Sequence, residues 1–133
     1  MVREYAFRKR IHAPYSTTLA RVKEALKAEG FGVLTEVDVR STFAEKLDIE
    51  FRSYAILGAC NPPLSHRALS QELDAGLVLP CNVVVYQDGE ETEVVIADPQ
   101  VIIHTLAKPD LESVAREARE RLLRVADALR TEH

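Results

Sequence analysis

The sequence predicts an α+β domain, and three observations carry that prediction. Leu111, Ala115, Ala118, Leu122, Val125 and Leu129 recur four and three residues apart, which is the apolar stripe of one long helix. Asp88-Gly89, between the β-rich runs Asn82 to Tyr86 and Thr92 to Ala97, is a strong hairpin signal. The order of patterns along the chain is β-α-β-(short α)-β-α-β-β-α. Strands 2 to 5 then form an antiparallel meander, and two long helices cover one face.

The elements follow in order. Tyr5, Phe7, Lys9 and Ile11 alternate as one face of a first strand, which Ala13-Pro14 ends. Ser16 or Thr17 is suited to cap a helix whose face carries Leu19, Val22 and Leu26, and Gly30 stops it. Phe31, Val33, Val37 and Val39 are expected on one face of the second strand, with Glu36 and Asp38 on the other. Ser41 to Leu47 predicts a short helix with Phe43 and Leu47 together, and Phe51 to Leu57 a third strand. Asn61 is a good N-cap and Pro62 suits the first helical position. Leu64, Ala68, Leu69 and Leu73 give that helix its apolar face, and Gly76 ends it. Val83-Val84-Val85 is apolar on both faces, as in a central strand. Asp98-Pro99 reads as a turn, and Val101 to Leu106 fits either a helical turn or a short strand.

The last helix also pairs Glu112 with Arg116, Glu117 with Arg121 and Glu120 with Arg124, acid before base at a spacing of four. Such pairs contribute about 0.2–0.5 kcal/mol each and mark a solvated outer face. The stripe opposite fits a helix lying on a sheet better than a coiled-coil seam.

At 133 residues, 47% hydrophobic and 29% charged, the chain is read as one domain, residues 1–133, able to bury a core without staples. The net charge of −4 argues against a nucleic-acid binder, since Arg8-Lys9-Arg10 is the only dense basic run. No apolar stretch approaches a membrane span. Met1 leads into charged residues without an apolar leader, so the expectation is a cytoplasmic protein with reduced thiols.

Two segments stand out as places for chemistry, Gly58-Ala59-Cys60-Asn61-Pro62 and Leu79-Pro80-Cys81. Cys60 immediately precedes the N-cap of a helix, where unpaired N–H groups and the helix dipole favour a thiolate or a bound anion. If strands 3 and 4 are antiparallel neighbours, Cys81 lies at the same edge of the sheet. The competing reading is that both cysteines pack as small hydrophobes. His66 follows Cys60 on its helix and is a further candidate ligand-binding residue beside Cys60, Asn61 and Cys81. With His104 these residues make only a weak case for a metal, because neither Cys-x-x-Cys nor His-x-x-x-His is present. Phosphate-loop, dinucleotide and nucleophile-elbow motifs are absent as well, so no catalytic residue, metal or cofactor is assigned.

Gly30-Phe31-Gly32-Val33 with Thr35 to Val39, Leu57 to Pro62, and Leu79 to Tyr86 together resemble the small bacterial and archaeal family known as domain of unknown function 302. Asp98-Pro99 and the amphipathic final helix fit as well, so the resemblance spans nearly the whole chain. It implies a β-α-β4-α antiparallel sheet, like half of the TATA-binding-protein fold, with two long helices on one face plus short extra helices. It also implies a homodimer, and it marks Cys60, Asn61, Pro62, Pro80 and Cys81. It supplies no activity, substrate or cofactor, and a DNA-binding fold elsewhere says nothing of function here.

Three functions stay open. They are a small-molecule or anion-binding domain with its site at the Cys60-Asn61-Pro62 helix start, a thiol redox or sulfur-handling protein using Cys60 and Cys81, and an interaction homodimer whose cysteines merely pack.

Overall fold

A computed structural model describes residues 4–129. Strand β1 (Ala6–Ile11) leads to helix α1 (Tyr15–Ala28), then β2 (Gly32–Asp38), α2 (Val39–Leu47), β3 (Tyr54–Cys60) and α3 (Pro62–Gln71). A 3-10 turn (Leu73–Leu77) precedes β4 (Cys81–Asp88) and β5 (Glu91–Ala97). Helix α4 (Pro99–His104), a second 3-10 turn (Pro109–Leu111) and α5 (Glu112–Ala128) follow.

The five strands form one antiparallel sheet in the order β1-β5-β4-β3-β2. The predicted meander of β2 to β5 is present, and β1 returns beside β5. The β4–β5 hairpin turns at Gly89, whose φ of 65° suits a residue without a Cβ.

The faces of the sheet are unequal. Alternation sends Ala55, Leu57, Ala59, Val83, Val85, Val94 and Ile96 to one side, all 0–1% exposed. There they pack with Val22 and Leu26 of α1 and Leu122 and Val125 of α5 in the main core. A second cluster gathers Leu64 and Ala68 of α3, Ile103 of α4, and Leu111, Val114, Ala115 and Ala118 at the start of α5. Each residue of the predicted α5 stripe is buried, so the stripe faces the sheet and the inner ends of α3 and α4.

Several boundaries differ from expectation for identifiable reasons. Helix α1 starts one residue before Ser16, with Pro14 at its N-cap and no side-chain cap bond, because Pro14 fixes the entering backbone. In β2 a register irregularity between Val33 and Thr35 inserts a residue. Val33 therefore packs on the core while Val37 turns to the opposite face, and Val39 belongs to α2. Strand β3 begins at Tyr54 rather than Phe51 and runs on to Cys60. Helix α3 ends at Gln71, before Gly76, leaving Leu73 85% exposed. Of the three predicted surface pairs on α5, Glu117 meets Arg121 at 3.5 Å. Glu112 instead meets His104 at 3.4 Å, and Arg124 reaches Glu29 at 2.8 Å. Both alternative partners lie on neighbouring elements, which the helix spacing does not encode.

Candidate functional site

The two cysteine segments converge at one end of the sheet. Ala59 at the end of β3 pairs with Cys81 at the start of β4, and Cys60 pairs with Gly32 of β2. Cross-strand partners share a face and successive residues alternate, so Cys81 joins Ala59 on the helix side while Cys60 leaves the strand in the other sense. At the strand end the Cys60 Sγ lies 3.2 Å from the Ser65 Oγ of α3. Both cysteines are free thiols.

Asn61 caps α3 as its sequence predicts. Its Oδ1 accepts from the Leu64 N–H at 3.3 Å, and its Nδ2 donates to the Glu29 carbonyl at 3.5 Å. The Arg121 Nη1 donates to that same carbonyl at 3.1 Å. Asn61 is 6% exposed and ties the end of α1 to the start of α3.

This arrangement closes the helix start. Pro62 and Pro63 have no N–H, the Leu64 N–H goes to the Asn61 side chain, and the Ser65 N–H goes to the Asn61 carbonyl. The N–H groups that would cradle an anion are absent or already bonded. Space is lacking too. The void bordered by Phe31, Ala59, Asn61, Leu64, Ser65 and Cys81 holds about 10 Å³, at or below what one water needs.

Room for a ligand lies on the other side of Cys81. A cavity of about 320 Å³ runs between the segment from Leu77 to Asn82 and the residues Ala97, Pro99, Ile102 and Ile103. It is at the small end of the range for ligand sites, roughly 300–1,000 Å³. Its wall is mostly aliphatic, with the Cys81 thiol and Asn82 as polar points. Leu77, 81% exposed, belongs to this wall, and Leu73 is exposed nearby in the chain. The Leu79-Pro80 peptide is cis.

The strand and helix that frame the cavity are locked by Asp98. Its Oδ1 accepts from the Gln100 N–H at 3.0 Å and caps α4, and its Oδ2 accepts from the Arg119 Nε at 3.1 Å. The Arg119 guanidinium also lies 5.3 Å from the centre of the Phe7 ring. Asp98-Pro99 is thus a helix start and not a simple turn. The same signal that identified Asn61-Pro62, a capping side chain followed by proline, was present in the sequence. The cavity residues Val78, Ile102 and Ile103 had no such signal, because they come together only through the packing of α4.

His66 and His104 are exposed and stand apart from this cavity. Among the described residues, no group of three or more His, Cys, Asp or Glu side chains is placed to hold a metal ion. No described helix is long and apolar enough to cross a membrane.

Burial pushes the Cys81 thiol up to about 11, and the nearby Cys60 adds to the rise. Cys81 is therefore a neutral thiol at physiological pH, which disfavours it as a nucleophile. The native state keeps this proton at a pH where the unfolded chain, with a thiol pKa near 8.5, has lost it. The Cys81 contribution to stability is thus fully present below about pH 8.5 and is lost as pH rises toward 11, by up to roughly 2–3 kcal/mol. Urea unfolding from pH 7 to 11 should show this decline in the wild type and a shallower one in Cys81→Ala. Parallel curves would refute the assignment.

Fold and site together define a small α+β domain with a mixed helix layer on one side of an antiparallel sheet and an apolar cavity at the sheet end. The sequence profile described as domain of unknown function DUF302 matches residues 7–129, and the chain belongs to that family. It is similar to a solved structure described as uncharacterized conserved protein DUF302 from Bacillus stearothermophilus. The two share 31% identity and a TM-score of 0.87 over 95% of this chain and 98% of the other. No curated protein matches the sequence.

Proposed function

We propose that this domain binds a small, predominantly apolar molecule in the cavity between the Leu77–Asn82 segment and α4, and that it does so as a cytoplasmic homodimer. The observation that carries the reading is the 320 Å³ cavity, whose aliphatic wall holds a neutral thiol and an amide as its polar points. An apolar body with one hydrogen-bonding end matches such a wall. The exposed Leu73 and Leu77 extend the apolar surface beyond the cavity. An anion at the helix start is the weaker form of the idea, because that end of α3 has neither a free N–H nor space. A cytoplasmic setting agrees with two thiols left unpaired.

The test uses decanol and decanoate as probes, titrated into the full chain and followed by amide chemical shifts. Saturable shifts centred on Val78, Leu79, Cys81 and Ile102 are expected. Ile102→Trp should abolish them while leaving the thermal unfolding cooperative. Absence of saturable binding by both probes, or binding unaffected by Ile102→Trp, would overturn the proposal.

A further inference from the structure

Helices α1 and α5 cover one face of the sheet; among the described residues no helix lies over the centre of the other, where Ile56, Val84 and Val95 are half-buried, and Pro80 closes over it at Gly58. Alternation places Val37, Ile56, Val84, Val95 and Ala97 there, with the Tyr54 and Tyr86 rings stacked at 5.2 Å and 5° between planes. This aromatic pair continues through Phe51, 6.3 Å from Tyr54, to Phe43 of α2, 5.1 Å from Phe51. Helix α2 itself has no buried residue, although it carries Phe43 and Leu47. Its nine residues are fewer than the roughly 12–15 that make even a good isolated helix marginal in water. Leu34, Val37, Leu47, Ile49 and Phe51, each 39–68% exposed, lie on β2, on α2 and in the segment after it.

We propose that this sheet face, with α2 at its rim, is where a second copy of the chain docks. The proposal rests on the homodimeric reading above and assigns the surface that forms the dimer.

Three features favour a second copy. The charged groups at the β1 end of the face already have partners within the chain. Arg10 bonds Asp88, Glu91 and Glu93 at 2.9–3.1 Å, and Arg8 donates to the Tyr5 hydroxyl at 3.2 Å. No charged partner is called for, and an apolar face of this kind is complementary to itself. Strand β4 is the middle strand of five, with Ile56 and Val95 on the strands to either side. A two-fold axis passing over β4 therefore sets apolar centre on apolar centre and gives one patch shared by both protomers. The area is adequate. Four interstrand spacings of about 4.8 Å and strands about 20–27 Å long project to roughly 400–500 Å². Pleating and α2 raise the accessible surface toward the ~800 Å² per partner of a stable interface.

Sedimentation equilibrium on the full chain tests this, with three variants. Wild type is expected to be dimeric at micromolar concentration. Val84→Arg at the centre, and Val37→Lys at a position already 45% exposed in one protomer, should raise the dimer dissociation constant by about a hundredfold or more. Leu77→Arg, outside the strands that make up this face, should leave the dimer intact. Val37→Lys keeps the test decisive if Val84→Arg fails to fold. A wild type that stays monomeric up to about 100 μM would remove the homodimer itself. A dimer that survives Val84→Arg and Val37→Lys, or that Leu77→Arg dissociates, would show that the chain associates through another surface. Titrating decanol into the monomeric variant reads the cavity independently of either outcome.

Discussion

Replacing Gly58 by alanine is expected to lower the free energy of unfolding by about 1–3 kcal/mol and to weaken ligand binding in the cavity. A Cβ at this position would fall on the Thr35 hydroxyl and within 2.8 Å of the Pro80 Cγ. The Thr35 side chain can rotate away, whereas the Pro80 ring is fixed to the backbone immediately before Cys81. Relief must therefore come from movement of the Leu79-Pro80-Cys81 segment, which forms one wall of the cavity. Urea denaturation measures the first effect and probe titration the second. Adding Thr35→Ala should recover only part of the loss, because the proline contact remains. If Gly58→Ala matched the wild type in both measurements, the close approach of the two cysteine segments would have no energetic weight.

Asp98→Ala should be more damaging still, by roughly 2–4 kcal/mol. Asp98 is 5% exposed, and its two carboxylate oxygens serve two different elements, the first turn of α4 and Arg119 of α5. Alanine removes the cap and also leaves the Arg119 head beside Phe7 without its carboxylate. Asp98→Asn keeps an oxygen able to cap Gln100 but loses the ion pair, so it should show roughly half the effect. The partial exposure of Arg119 keeps the expected loss below that of a fully buried pair. Chemical denaturation of both variants checks the ranking. An Asp98→Ala protein within about 0.5 kcal/mol of wild type would contradict it.

How much of this was legible beforehand depended on whether the signal was local. The α5 stripe from Leu111 to Leu129 could be read because each position is fixed by helical spacing alone, and all six residues are buried. The Asp88-Gly89 hairpin and the Asn61-Pro62 helix start are likewise contained in a few residues. In β2, the expectation that Val33 and Val37 share a face failed at the irregularity before Thr35, since a single inserted residue reverses every later side chain. Cys60 and Cys81 were correctly expected at one edge of the sheet. The closure of the α3 N-terminus was not foreseen, although Pro63 already removed one donor. The cavity was out of reach because it depends on where α4 lies against the Leu77–Asn82 segment. The pairing of Asp98 with Arg119 depends equally on the placement of α5.

The position of β1 has a consequence for how the chain assembles. Strands β2, β3 and β4 each pair with the next strand in sequence, so their contacts close the shorter loops of the sheet. Strand β1 alone pairs with a strand far away in sequence, Ala6 against Ala97 and Ile11 against Thr92. Closing that long loop carries the largest entropic penalty in the sheet and gains nothing until β5 exists to receive it. The meander and its hairpins are thus the natural nucleus, and β1, although it precedes them in the chain, is the last to find its place. Until it does, β5 stands as an open edge, and the time that edge remains uncovered sets the window in which one unfinished chain can pair with another.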